Sequence, residues 1–142
     1  MTKRLDSVRV SSTPKNRLLF RETLFSSSSM KDCIGGVILY DETIKQTTSK
    51  NKTIPELISK MGSIPGIKVD TGAKILASSP GEKITEGLDG LRERLKEYYK
   101  LGAKFTKWRG VYSITKNYPS KISIHSNACL LYTSPSPRDA TL

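Results

Sequence analysis

The sequence has few of the residues that build metal centres, disulfide frameworks or membrane spans. It contains two cysteines, Cys33 and Cys129, which lie far apart, and one histidine, His125. A zinc site built from several histidines is therefore excluded, and a Ser-His-Asp triad would depend on that one residue. The two cysteines are expected to be free thiols in a reducing compartment. No apolar run of membrane-spanning length and no secretory signal follow Met1, so we expect a cytoplasmic protein with no membrane partner.

Acidic residues are also scarce, with 13 Asp and Glu against 24 Lys and Arg, and the net charge is +11. This excess indicates an anionic partner. The positive charge is spread evenly over both halves of the chain, whereas nucleic-acid binders concentrate it on one face or arm. We therefore predict a small phosphorylated ligand and no nucleic acid.

The 142 residues are enough for one average domain. They are too few to close a (β/α)₈ barrel, which needs roughly 250 residues. Hydrophobic patterning predicts helices at 14–24, 53–60, 88–101 and 121–131, the last of them amphipathic. It predicts three strands, at 34–40, 64–70 and 103–112, and a loop over 71–83. This alternation predicts an α/β fold with parallel strands, and the apolar strand 34–40 is expected to be covered on both faces.

Local signals support the predicted helices. Thr13 before Pro14 is a typical helix entry, and the helix that follows is expected to cover part of a core. Thr53 and Glu56 have the spacing of a capping box, and Gly102 has the place of a helix-terminating glycine. The predicted buried face of the third helix consists of Leu88, Leu91, Leu95 and Tyr98.

Cationic residues lie inside the second and third predicted strands. Lys107 and Arg109 are two positions apart, so strand alternation predicts that both point to one face, with Trp108 on the other. Lys68 and Asp70 have the same spacing, which fits an internal ion pair as well as a ligand site. Side chains at the carboxyl ends of parallel strands meet at one edge of the sheet, so these residues form the candidate site.

Several of these segments together resemble class I fructose-bisphosphate aldolase. The matching motifs, in order, are Gly36–Thr43 (GVILYDET), Gly66–Gly72 (GIKVDTG), Gly87–Leu91 (GLDGL) and Lys107–Arg109 (KWR). Lys3–Leu5 and the segment 16–25 resemble the entry and second helix of that family. The resemblance covers roughly residues 2–131, and six motifs in the same order make it specific.

The resemblance implies a partial (β/α)₈ TIM barrel, about strands 2–4 with their helices. It implies cleavage of fructose 1,6-bisphosphate to dihydroxyacetone phosphate and glyceraldehyde 3-phosphate, through a lysine Schiff base and without a metal or cofactor. Lys107 matches the family's second active-site lysine, and Arg109 the arginine beside it. Lys68 matches a lysine near the substrate phosphate, and Arg4 an arginine that contacts substrate. Members of the family are commonly homotetramers.

The resemblance also implies what the chain lacks. The family's first strand, its Schiff-base lysine and its acid/base glutamate have no counterpart here, and Ser126 stands where the family usually has Glu. We therefore expect residues 1–131 to be an incomplete, inactive segment of an aldolase barrel, and residues 132–142 to be a Ser/Pro-rich, artefactual tail outside the family. A second hypothesis is a small basic α/β module that binds phosphorylated ligands or RNA without catalysis.

Overall fold

The computed structural model describes residues 1–135, which contain seven helices and five strands. The helices are α1 (Thr2–Asp6), α2 (Pro14–Phe25), α3 (Met30–Cys33), α4 (Asp41–Ile44), α5 (Ile54–Lys60), α6 (Leu91–Lys100) and α7 (Lys121–Thr133). The strands are β1 (Gly36–Leu39), β2 (Ile64–Lys68), β3 (Gly72–Ile75), β4 (Lys83–Glu86) and β5 (Phe105–Lys107). Within these residues, no helix combines the length and apolar character needed to cross a bilayer.

The chain divides into two structural units. The first contains Met1–Ile67 and Tyr98–Phe105, and the second contains Lys68–Glu97 and the described residues from Thr106 onward. The sequence predicted a single segment, and the three short helices α1, α3 and α4 were not predicted.

A three-stranded sheet has the order β1-β2-β5. β1 and β2 are parallel, with Gly36 opposite Ile64 and Leu39 opposite Ile67. The prediction of parallel strands joined by helices is therefore confirmed for this pair, and the fold is α/β.

The capping signals of the first unit are confirmed. The Thr53 amide donates to Glu56 Oε2 at 2.8 Å, and the Glu56 amide donates to Thr53 Oγ1 at 3.3 Å, which completes the capping box. α6 ends in a Schellman motif, because the Gly102 amide donates to the Tyr99 carbonyl at 3.0 Å and the Ala103 amide to the Tyr98 carbonyl at 2.9 Å. Gly102 has a φ of +104°, which favours glycine.

Helix α2 begins as predicted, with Thr13 Oγ1 accepting the Asn16 amide, but it contributes less to the core than expected. Phe25 is its one buried residue, and Leu19 and Leu24 are exposed. Polar contacts anchor the helix instead: Arg17 forms an ion pair with Glu42 at 2.9 Å.

One face of the three-stranded sheet is buried and the other is open within the described residues. Leu39, Ile67 and Val69 are at most 2% exposed, whereas Ile38 and Ile64 are 48% and 53% exposed. The expectation that the strand at 34–40 is covered on both faces is therefore wrong for residues 1–135, which cover one face only.

A β-hairpin occupies the segment predicted as a loop. β3 and β4 pair antiparallel, with Gly72 opposite Glu86 and Ile75 opposite Lys83. The Ser-Ser-Pro-Gly cluster at residues 78–81 lies in the connection between two four-residue strands. The described residues therefore contain five strands, where the sequence predicted three.

Helix α7 packs on β4 through a face that is largely polar. Ser123, Asn127 and Leu130 are its buried residues, while Ile122 and Ile124 are exposed. The prediction of an amphipathic helix with an apolar buried side is therefore wrong. Asn127 compensates for its own burial, because its Oδ1 accepts the Thr85 amide and its Nδ2 donates to the Lys83 carbonyl.

Two predicted elements are shorter than expected. α6 begins at Leu91, because Gly90 with a φ of +58° interrupts the helix expected from residue 88. Its predicted face is confirmed at Leu91 and Tyr98, which are buried. The strand expected over 103–112 is reduced to β5.

The predicted boundary at residue 132 stays a prediction. α7 continues to Thr133, and residues 136–142 of the predicted tail lie outside the described residues.

The first prediction concerns the open sheet face, where the Phe105 ring occupies the position that a Cβ atom on Gly66 would take. Gly66→Ala should displace the ring and lower the free energy of unfolding by about 1–3 kcal/mol, the usual cost of overpacking. Gly35→Ala is the matched control, because nothing lies within 4 Å of its added Cβ. Denaturant unfolding monitored by circular dichroism measures both. Equal losses in the two variants would contradict the contact.

The second prediction concerns Glu82, which is 2% exposed and accepts from the Ser120 hydroxyl at 2.6 Å and the Ser120 amide at 2.8 Å. The hydroxyl donor is the main reason that the pKa of Glu82 is lowered, and burial opposes it. A carboxyl whose folded pKa is lowered contributes stability above its unfolded pKa of about 4.3, and loses it as the pH falls through the folded value.

Glu82→Gln should therefore be less stable than the parent chain at pH 7, and the difference should shrink as the pH falls below about 4. Urea midpoints measured across this range test the expectation. Glu86→Gln, at an exposed position of β4, is the control. If the stability difference between Glu82→Gln and the parent chain did not change with pH, the charge of the Glu82 carboxylate would not be its cause.

Candidate functional site

Lys68 and Lys107 lie side by side at the carboxyl ends of β2 and β5. The Val69 amide donates to the Lys107 carbonyl at 3.3 Å, which joins the two strand ends. Phe105 faces Gly66 on the open side of the sheet. Lys107 is two residues after Phe105 and Lys68 is two residues after Gly66, so the alternation of side chains along a strand places both lysines toward that side. These two predicted site residues are therefore brought together on one face.

Lys68 forms an ion pair with a buried carboxylate. Its Nζ donates to Asp70 Oδ1 and to the Asp70 carbonyl, and the side chains are 20% and 3% exposed. Asp70 Oδ2 is buried and has no hydrogen-bond partner among the described residues. The internal ion pair foreseen from the spacing is thus present, and it holds the Lys68 ammonium at the strand end.

Lys107 is half-buried, and no described residue neutralises its charge through a hydrogen bond or ion pair. The open side of the sheet therefore carries a positive charge with no acidic neighbour bound to it. Such a cation can bind an anionic ligand, and it can lower the pKa of an amine placed beside it.

Arg109 lies beyond the end of β5, so strand alternation does not extend to it as predicted. Its carbonyl accepts from Thr85 Oγ1 at 2.6 Å, which ties this backbone to β4, and its side chain is exposed. Trp108 is half-buried, and its Nε1 donates to Ser134 Oγ at 3.1 Å, next to the end of α7. This agrees with the prediction that Trp108 points toward the helices.

A small cavity of about 50 Å³ adjoins this segment and is lined in part by Thr85, Trp108, Arg109 and Asn127. Sites for small-molecule ligands occupy roughly 300–1,000 Å³. This cavity is therefore too small for a sugar phosphate.

Arg4 belongs to the other structural unit. It lies on α1, where Leu5 is buried and Arg4 is exposed.

Arg94 is a residue that the sequence analysis missed. Its guanidinium donates to the Val69 carbonyl at 3.0 Å and to the Gly87 carbonyl, which ties α6 to the end of β2. A charged residue inside an amphipathic helix gives no signal of this role, because its partners are backbone carbonyls distant in sequence. Arg94 thus fixes the backbone that follows Lys68.

Within residues 1–135, no group of three or more His, Cys, Asp or Glu side chains is arranged to hold a metal ion. Both cysteines are free and exposed, as expected.

Comparison with known proteins gives one consistent family. The sequence model described as "Glycolytic: Fructose-bisphosphate aldolase class-I" matches residues 1–134. A probable fructose-bisphosphate aldolase class 1 from Xylella fastidiosa is 50% identical over 127 residues, which are 89% of this chain and 38% of that protein. The cytosolic fructose-bisphosphate aldolase 6 of Arabidopsis thaliana is 45% identical over 126 residues, 89% of this chain and 35% of that protein.

A solved structure agrees with these relatives. The structure is that of fructose-bisphosphate aldolase from Plasmodium falciparum, crystallised with TRAP and a small-molecule inhibitor. It matches with a TM-score of 0.83 and 42% identity, over 88% of this chain and 37% of that chain. The present chain therefore spans little more than a third of the length of the proteins it matches.

The third prediction tests the Lys68–Asp70 pair. Lys68→Met leaves the Asp70 carboxylate buried without its cation, and should lower the free energy of unfolding by about 3 kcal/mol. Lys45→Met is the matched control, because both side chains of the Lys45–Asp41 ion pair are exposed. Exposed ion pairs contribute about 0–1 kcal/mol to the free energy of unfolding. Urea unfolding measures both variants. Similar losses for the two would mean that the Lys68 pair is no stronger than a surface pair.

Proposed function

Since the chain belongs to the class I fructose-bisphosphate aldolase family, we propose that it provides part of the substrate site of such an enzyme. The whole enzyme would cleave fructose 1,6-bisphosphate to dihydroxyacetone phosphate and glyceraldehyde 3-phosphate, in glycolysis and gluconeogenesis. The observation that carries the proposal is the pair Lys68 and Lys107, which share one face at the ends of neighbouring strands.

Lys107 has the catalytic role in this proposal. An imine-forming lysine must lose a proton to become a nucleophile, and a second ammonium nearby lowers its pKa by like-charge repulsion. A half-buried lysine without an ion-pair partner in the described part of the chain is suited to this role, because its ammonium is not engaged by a carboxylate there. The same ammonium can donate to an oxygen of the bound sugar phosphate.

Lys68, Arg109 and Arg4 bind substrate in this proposal. Asp70 holds the Lys68 ammonium at the strand end, which reduces the conformational freedom lost when a phosphate binds. Arg109 offers an exposed guanidinium, which can bind a phosphate through two parallel hydrogen bonds. Arg4, exposed on α1, is the fourth proposed contact.

The fold that we propose is part of a (β/α)₈ barrel, about its strands 2–4. The strand order β1-β2-β5, in chain order, supports this assignment. So does the exposure of Ile38, Ile64 and Phe105, because the inner face of a barrel is filled by side chains from other strands. A homotetramer follows from the family, and the cytosolic relatives favour a cytoplasmic location.

The imine-forming lysine is not supplied by this chain in our proposal, because no lysine matches that family position. The 142-residue chain alone should therefore be inactive. The Schiff-base mechanism, where the complete site is present, uses no cofactor.

The fourth prediction uses a chimera in which residues 1–131 replace the matching segment of the Xylella fastidiosa aldolase. The chimera should cleave fructose 1,6-bisphosphate, and borohydride should trap dihydroxyacetone phosphate on it. Lys107→Ala in the chimera should lower kcat by about 10²–10³-fold, the usual effect of removing one electrostatic group at the reacting centre. Lys104→Ala is the matched control, because Lys104 precedes β5 and its ammonium lies 5.1 Å from the centre of the Tyr99 ring.

Circular dichroism compares the secondary structure of each variant with that of the chimera. Specific trapping of dihydroxyacetone phosphate on the 142-residue chain would contradict the assignment of the nucleophile. Unchanged turnover in a folded Lys107→Ala chimera would contradict the role of Lys107.

A further inference from the structure

A cysteine and a histidine form a close pair on helix α7, away from Lys68 and Lys107 in sequence. Cys129 Sγ lies 3.6 Å from His125 Nε2, and both side chains are exposed. The two residues are one helical turn apart, so their side chains lie above each other on the same face. Neither residue has a part in the proposed aldolase site.

The distance between Cys129 Sγ and His125 Nε2 matches the distance between two ligand atoms of a tetrahedral metal ion. Zinc binds a cysteine sulfur at about 2.3 Å and a histidine nitrogen at about 2.0–2.1 Å. With a tetrahedral angle between these bonds, the sulfur and nitrogen are about 3.6 Å apart. The pair therefore has the sulfur–nitrogen spacing of a chelate.

The chemistry of the two ligands selects the kind of ion. A thiolate is a soft ligand and an imidazole a borderline one, a combination that suits Zn²⁺ and its heavier congener Cd²⁺ and disfavours Mg²⁺ or Ca²⁺. The two atoms also come from a regular 13-residue helix. A helix fixes their relative position better than a loop, so little conformational freedom is lost on binding.

The charge around the pair sets a limit on affinity. Lys121 lies one turn before His125 and repels a cation, whereas the carboxyl-terminal half of the helix, which contains Cys129, attracts one through the helix dipole. Two protein ligands leave the remaining positions of a tetrahedral ion to water.

We propose that Cys129 and His125 form a two-ligand surface site for a thiophilic divalent cation, Zn²⁺ or Cd²⁺. In binding, the Cys129 thiol loses its proton to solvent and the sulfur forms the metal bond. The neutral imidazole forms the second bond through Nε2. No oxidant or reductant takes part.

The chain offers matched controls for this proposal. It has one histidine and two cysteines, so a change at the histidine ring nitrogens reports on His125 alone. Cys33 is also free and exposed, and it has no histidine one turn away. Cys33→Ser therefore keeps the proposed site, and Cys129→Ser removes it while leaving one exposed thiol.

Cd²⁺ titration of the full chain, followed by the ultraviolet charge-transfer band of the Cd–thiolate bond, is the first measurement. The parent chain and Cys33→Ser should bind one Cd²⁺ per chain with equal affinity. Cys129→Ser and His125→Asn should bind at least about tenfold more weakly, the lower end of the effect of disturbing a metal site. Circular dichroism compares their helix content, which changes at exposed positions should preserve.

The second measurement is the nitrogen NMR chemical shift of His125 Nε2 during Zn²⁺ addition. This signal should shift in the parent chain and should not shift in Cys129→Ser. Equal Cd²⁺ affinity of Cys33→Ser and Cys129→Ser would overturn the proposal, because any exposed thiol would then suffice. A stationary Nε2 signal would also overturn it. So would half a metal ion per chain with dimerisation in sedimentation, because the ion would then bridge two molecules.

Discussion

A parallel sheet must be covered on both faces, and this constraint explains most of what is unusual about the chain. Leu39, Ile67 and Val69 are buried on one side of the three-stranded sheet. The opposite side shows Ile38, Ile64 and Phe105 to solvent within the described residues. Lys68 and Lys107 are the last residues of β2 and β5.

The charges of the candidate site depend on contacts that are partly buried. Asp70 holds Lys68, and Arg94 binds the carbonyl groups of Val69 and Gly87 on either side of the hairpin. Backbone contacts of this kind keep charged groups at a fixed place without a large hydrophobic core around them. Lys107 is left without such a partner among the described residues, which supports the role on substrate that its match to the family motif implies.

Family membership and the Cys129–His125 pair on α7 are independent features of the chain. The family match covers residues 1–134 and about 38% of the Xylella relative, so the proposed activity belongs to a larger protein. The Cys129–His125 pair is complete within one helix and needs no other segment. A metal site there would be a property of this chain, independent of whether the aldolase site is ever assembled.

The sequence by itself determined the elements whose signals are local. The Thr53–Glu56 capping box and the Gly102 terminus follow from residues a few positions apart, and both were confirmed. The predicted face of α6 was confirmed at Leu91 and Tyr98, and the parallel pairing for β1 and β2. Lys68, Lys107, Arg109 and Arg4 could be singled out because they lie within motifs, and the structure brought Lys68 and Lys107 together.

Only the tertiary structure decided the features that depend on distant partners. The segment 71–83 became a hairpin because β3 pairs with β4 across a connection that resembles a loop. α7 turned its polar side inward because Asn127 satisfies the Thr85 and Lys83 backbone groups of β4. Arg109 left the strand because its carbonyl bonds Thr85 instead of continuing the ladder. Hydrogen bonds between residues 24 to 44 positions apart leave no trace in local periodicity, and this is why the sequence did not predict them.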